Sequence, residues 1–187
     1  MAKILIACEF SGVVRDAFIA EGHNAVSCDL LPTERPGPHI QDDVFAHLAG
    51  GWDAMIFFYP CTNMASSGAR WFPGKQAEQK RDINRFIRLA ESKIPRTVGE
   101  NPIGVLSTQY RKPDQIIQPW MFGHGEVKAT CLWIKGFSLL IPTQIVSGRE
   151  PRVHYEPPGP ERWKNRSRFL PGIATAMAKQ WGRELTI

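Results

Sequence analysis

The sequence predicts an α/β protein built on a doubly wound, mostly parallel sheet. Three observations carry that prediction. Strand-like and helix-like stretches alternate through the first hundred residues, an order that favours a parallel sheet with helices on its faces. The first strand-like run enters a helix through a turn containing glycine. Two later apolar runs stop at short polar dipeptides, Pro60-Cys61 and Glu100-Asn101, which places them at the sheet edge where open α/β folds carry their chemistry.

The elements follow in order. Residues 3–8 are a β-type run, after which Glu9-Phe10-Ser11-Gly12 turns the chain into an amphipathic helix. Val13, Val14, Ala17, Phe18 and Ala20 form its apolar face, and Gly22 closes it at the C′ position. A second strand over 24–28 ends in Asp29, some 17 residues after Gly12. An acid at the tip of the second strand of a βαβ unit is placed to bind ribose hydroxyls, although the G-x-G-x-x-G pattern is absent. Residues 31–39, with three prolines and a glycine, read as a loop, and 40–44 lead into a short helical stretch. From Asp53 to Tyr59 the chain is a buried strand stopped by Pro60; beyond Cys61 lies a polar loop of small residues over 62–68.

Residues 75–92 make the clearest helix, with Ile83, Phe86, Ile87, Leu89 and Ala90 on one side and charges on the other. Thr97-Val-Gly then leads straight into Glu100. The stretch 106–125 has no clean periodicity, 129–134 is strand-like, 139–148 is apolar with a proline, and 156–160 is a stiff connector. A final helix over 171–181 starts at Pro171 and sets Ile173, Ala174, Met177, Ala178 and Trp181 at helical spacing.

Length and composition bound the rest. A chain of 187 residues is expected to be one domain. No apolar stretch approaches the roughly 20 residues of a membrane span, and the N-terminus lacks a signal-peptide pattern, so the expected location is the cytoplasm. Cys8, Cys28 and Cys131 read as buried small hydrophobes; only Cys61 sits at a strand-to-turn junction. With no C-x-x-C pair, neither a metal site nor a disulfide framework is expected. His124 and His154 read as solvated. The +5 charge is uneven: the region 149–187 holds eight Lys and Arg against four acids, a net +4, with Tyr155 and Trp163 interleaved. Such a region suits a polyanion, and nucleic acid is the expected partner.

A thiol and a carboxyl delivered to one sheet edge beside a nucleotide-type pocket suggest covalent catalysis with a proton donor. On these landmarks the chain resembles the cytosine-5 DNA methyltransferases, in particular the short phage and prophage versions. Phe10-Ser11-Gly12 stands in the first turn, Asp29 at the second strand end, Asp43-Val44 after the third, then Pro60-Cys61, Glu100-Asn101-Pro102, Arg166-Ser167-Arg168 and a closing helix from Pro171. The resemblance implies a Rossmann-like S-adenosylmethionine-dependent methyltransferase fold and methyl transfer to carbon 5 of cytosine in DNA. Cys61 would add to carbon 6. Glu100 would hold the ring nitrogen and exocyclic amine and donate a proton, and Arg166 and Arg168 would orient the base or its phosphate.

The same carry-over gives the binding residues. Phe10 and Gly12 would line the methionine side of the cofactor, Asp29 the ribose hydroxyls, and Asp43 with Val44 the adenine, with Ser11, Leu30 and Pro60 completing the lining. Asp43 has a second reading as a helix cap beside Asp42. Asn63, Ser66, Ser67, Arg70 and Trp71 would contact DNA around a base extruded from the duplex, with Asn101 beside it.

The chain departs from the family in three places. Its first turn lacks further glycines, Tyr59 stands where a second proline is favoured, and only Phe169 and Leu170 separate the Arg-x-Arg from the closing helix. Full enzymes carry a large target-recognition domain at that last point, so this domain is expected to be absent or minimal, and a homodimer is one way to supply the surface. Three functions fit: a minimal DNA methyltransferase, a pyrimidine-nucleotide-modifying enzyme using the same covalent chemistry, or a non-catalytic fold that binds DNA or a host protein.

Overall fold

The computed structural model describes residues 1–186; Ile187, at the end of the basic region, and the side chain of Trp71 lie outside the described residues. Seven strands form one sheet: β1 (Lys3–Ala7), β2 (Asn24–Asp29), β3 (His39–Gln41), β4 (Ala54–Phe57), β5 (Arg96–Pro102), β6 (Gln115–Ile117) and β7 (Thr130–Lys135). Their order is β3-β2-β1-β4-β5-β7-β6. The first five are parallel, and β7 is inserted antiparallel between β5 and β6.

Alternate strand residues feed two cores, as the pleat requires. On one face Ile4, Ile6, Val98 and Leu132 pack against α1 (Val13–Ala20) and α6 (Pro171–Glu184), with Phe18, Met177 and Trp181 buried between them. On the other, Leu5, Met55, Phe57 and Trp133 meet Ile83, Phe86 and Leu89 of α2 (Gln76–Ala90). Gly99 of β5 makes this second layer possible. A Cβ there would lie 2.4 Å from Phe57 and 2.7 Å from Phe86, whose rings pack edge to face with centroids 5.0 Å apart.

Where the sequence left elements open or misplaced their ends, the reasons are local. The strand expected to reach Tyr59 ends at Phe57: Phe58 N–H still bonds Ala7 O at 3.0 Å, but the Tyr59 carbonyl turns to the Asn101 side chain at 2.8 Å, and Pro60 has no N–H to continue the ladder. The 31–39 loop yields His39 to β3. The aperiodic 106–125 stretch holds α3 (Leu106–Gln109) and β6, both too short to show a period. The expected 62–68 loop tightens into a 3₁₀ turn over Ser66–Trp71. His124, read as solvated, accepts from Gly172 N–H at 2.9 Å at the start of α6. Cys28 and Cys131 are buried as expected, whereas Cys8 is only half-buried.

The proline loop after β2 is tied to α1 by one side chain. Arg15 of α1 is 0% exposed and donates to Asp16, Ser27, Thr33 and the carbonyls of Arg35 and Pro36, at 2.8 to 3.2 Å. Each of these oxygens would lose a donor at once, although Ser27 Oγ keeps His39 and the Arg35 carbonyl keeps the Thr33 hydroxyl. Arg15→Met is therefore expected to lower the unfolding free energy by about 3–5 kcal/mol. Urea titration checks this, and a loss under about 1 kcal/mol would mean that the loop is held by other contacts.

Candidate active site

Order reverses at β1, which lies between β2 and β4, and the carboxyl ends of β1, β2, β4 and β5 meet at this switch point. The turn bearing Cys61 leaves β4 there and is clamped from three sides. The Cys61 carbonyl accepts from Met64 and Ala65 N–H at 2.9 Å each, and Ser66 N–H and Met64 O bond Ile103 O and Val105 N at 2.9 and 3.0 Å. Asn101 holds the Tyr59 carbonyl. From α2, buried Asp82 accepts from Asn63 Nδ2 at 2.7 Å and from the Tyr59 hydroxyl at 3.4 Å, while Gln79 donates to Asn63 O at 2.8 Å. Burial and the Asp82 charge push the Tyr59 phenol up to about 12, so it remains a donor. Rigidity that a second proline would supply is here supplied by side chains.

Three charged groups act on the thiol. Burial pushes the Cys61 pKa up and the Glu100 carboxylate adds to it, while the cations Lys128 and Arg166 pull it back. Glu100, the residue before Asn101 on β5, is itself pushed up by burial, against the pull of Lys128. Burial thus favours the protonated form of Glu100, the form that does not oppose the thiolate. No sequence pattern marks Lys128; it arrives because antiparallel pairing sets Thr130 opposite Pro102.

The two arginines of the Arg-x-Arg separate. Arg166, in α5 (Arg162–Ser167), which follows the single turn α4 (Arg152–Tyr155), lies within electrostatic reach of Cys61. Arg168, in extended backbone just beyond, makes a bidentate pair with Glu34 at 2.8 and 3.0 Å and holds that carboxyl below its usual range. The pair ties α5 to the proline loop, whose Glu34 N–H also bonds Phe10 O at 2.8 Å, and Trp163 lies over Phe10 with ring centroids 6.1 Å apart.

On the β1–β2 side, Gly12 has φ +74°, and a Cβ there would meet the Arg15 guanidinium at 2.6 Å. Its neighbour Ser11 donates to Glu9, whose Oε1 also accepts from Val13 N–H at 3.2 Å. Glu9 Oε2 is buried and has no partner among the described residues, and burial pushes this carboxyl up. Glu9 was missed in the sequence; its place directly before Phe10-Ser11-Gly12 was the available signal. Asp29 is pushed up by burial, with Oδ1 bonded to Leu31 N–H at 2.9 Å, and Leu30 beside it is 71% exposed. Asp43 caps a 3₁₀ turn through Phe45 N–H and pairs with Arg85 at 2.8 Å, while Val44 is buried. An orphaned buried carboxylate oxygen beside a left-handed glycine turn, with an acid and an exposed apolar side chain at the next strand tip, fits a cofactor carrying an ammonium, a ribose and a flat base.

Among the expected DNA contacts, Ser66, Ser67 and Arg70 are exposed on the 3₁₀ turn, whereas the amides of Asn63 and Asn101 are bonded to Asp82 and Tyr59.

The sheet order and the antiparallel β7 give the chain a methyltransferase fold. No protein-family model matches the sequence, and no curated protein matches it. Among solved structures, it is similar to an E. coli protein described as a candidate DNA modification methyltransferase encoded within a prophage, with a TM-score of 0.52 and 12% identity. The match covers 84% of this chain and 56% of that one, so this chain spans little more than half of its structural neighbour. No helix among the described residues is long and apolar enough to cross a membrane.

Burial raises Glu9, Asp29 and Glu100 above their unfolded pKa values, so the folded state favours their protonated forms. Stability from these groups is fully present below the unfolded carboxylate range and is lost as pH rises through the folded values. Glu9→Gln is expected to raise Tm at pH 7.5 by about 2–4 °C and to give no gain near pH 4, a difference that scanning fluorimetry reads directly.

Proposed function

We propose that the protein transfers a methyl group from S-adenosylmethionine to carbon 5 of cytosine in DNA through a covalent Cys61 adduct, residues 1–187 acting as a single methyltransferase-like unit. The observation that carries this reading is the convergence of thiol, carboxyl and two cations at the switch-point edge, the edge to which β1 also delivers the orphaned Glu9 oxygen.

Cytosine carbon 5 is a poor nucleophile. In the proposed reaction the Cys61 thiolate adds to carbon 6, and Glu100 gives its proton to the ring nitrogen, which moves the electron pair toward carbon 5. S-adenosylmethionine, when bound, supplies the methyl group. Loss of the carbon 5 proton to a water molecule then expels the thiolate, and the ring nitrogen returns its proton to Glu100, which restores both the ring and the acid. Arg166 orients the base, and Arg168 acts through Glu34 to hold the segment in place. Phe10, Ser11, Gly12, Asp29, Leu30, Val44 and Pro60 would hold the cofactor, with Glu9 added to them and Asp43 acting through Arg85. The exposed Ser66, Ser67 and Arg70 would meet the strand around the extruded base, at an extrusion cost of a few kcal/mol.

Nucleoside mass spectrometry of DNA from expressing cells tests the reaction. New 5-methylcytosine should appear, vanish with Cys61→Ser and fall by about 10²- to 10⁴-fold in rate with Glu100→Gln. Label in free pyrimidine nucleotides with none in DNA would assign the chemistry to the smaller substrate, and no label in either would leave only binding. The basic region predicts its own signature: affinity for duplex DNA should fall steeply as salt rises from 50 to about 200 mM. A flat response would remove Arg149, Arg152, Arg162 and Lys164 from the DNA interface.

A further inference from the structure

We infer that Lys128 is a positioning residue of this site, its ammonium supporting the Cys61 thiolate while fastening the backbone of Arg166 beside it. The inference rests on Cys61 being the nucleophile.

The placement of Lys128 is specified on both sides. Its N–H donates to Gln118 Oε1 at 2.9 Å, and its carbonyl accepts from Thr130 Oγ1 at 3.0 Å, so the backbone is fixed just where the chain enters β7. Register then carries it to the end of β5, with Thr130 opposite Pro102, Cys131 opposite Asn101 and Leu132 opposite Glu100. The side chain is half-buried, and its Nζ donates to Arg166 O at 3.2 Å. From there the ammonium acts on two groups at once, Cys61 and Glu100.

The charged groups facing the thiol are Glu100 from β5, Lys128 from the approach to β7 and Arg166 from α5. Glu100 disfavours the thiolate, and both cations favour it. Of these cations, Lys128 is the one that also acts on Glu100, and it holds the other cation's backbone. Removing its charge should therefore move the ionisation of Cys61 more than its accessibility. Lysine also suits this role through its compact ammonium, which can reach a carbonyl while its field covers neighbouring groups.

The test needs neither DNA nor cofactor. The intact protein is treated with iodoacetamide across pH 6–10, and alkylation of Cys61 is followed by peptide mass spectrometry, with Cys8, Cys28 and Cys131 as internal controls for unfolding. Lys128→Gln keeps a donor for the Arg166 carbonyl without the charge. It should shift the Cys61 midpoint upward by about 0.5–1 pH unit and slow alkylation at neutral pH by roughly three- to tenfold. Lys128→Arg should restore the wild-type midpoint. Glu100→Gln should shift it the opposite way, and the double variant with Lys128→Gln should fall between, which provides a second reading if the single variant is poorly folded. An unmoved midpoint in Lys128→Gln, or a slower rate with no change of midpoint, overturns the inference. A shifted midpoint in a protein that methylates nothing keeps the role of Lys128 and discards the reaction.

Discussion

The site is organised around one part-buried hydrogen bond, from the Asn101 amide to the Tyr59 carbonyl. It ends β4, opens the turn that carries Cys61, and does so from the residue that follows Glu100. Thiol strand and carboxyl strand are thereby joined at adjacent positions. The bond has a cost on its other side: Asn101 Oδ1 is buried without a partner among the described residues, a loss of about 1–3 kcal/mol for such an oxygen. Glu9 Oε2 is in the same condition at the same sheet edge, and Ser92 Oγ and Glu126 Oε2 share it elsewhere among the described residues.

Much of the architecture was legible because it rests on periodicity. The βα alternation, the faces of α1, α2 and α6, the glycine that closes α1 and the position of Cys61 beyond a buried strand are all short-range properties of the chain. Cys61 and Glu100 could be paired from sequence because parallel topology sends every strand end to the same edge. What remained hidden depends on contacts between distant segments. Lys128 lies beyond an aperiodic stretch, and only the antiparallel register of β7 delivers it. Asp82 sits on the polar side of an amphipathic helix, where a carboxylate ordinarily faces water; here it clamps Tyr59 and Asn63. Arg15 offers no sequence cue that separates it from a solvated arginine.

Arg166 and Arg168 show the limit most clearly. Two residues of one type, two positions apart, look equivalent in a motif. The helix ends between them at Ser167, and backbone direction then sends one toward the thiol and the other to Glu34. Asn63 and Asp43 illustrate the same limit from the other side. Their polar groups, open to assignment in the sequence, are bonded to Asp82 and Arg85, so their contribution to any ligand is through the framework they hold.

The Arg168–Glu34 pair joins segments 134 residues apart in the chain, and α6, next to it, packs on α1. The turn that follows β1 is thus closed by a segment that lies far downstream in the chain. During translation the cleft has its floor, laid down by β1 to β5, long before it has a wall. Until α5 and α6 have been made and have docked, a growing chain presents that sheet edge without its wall.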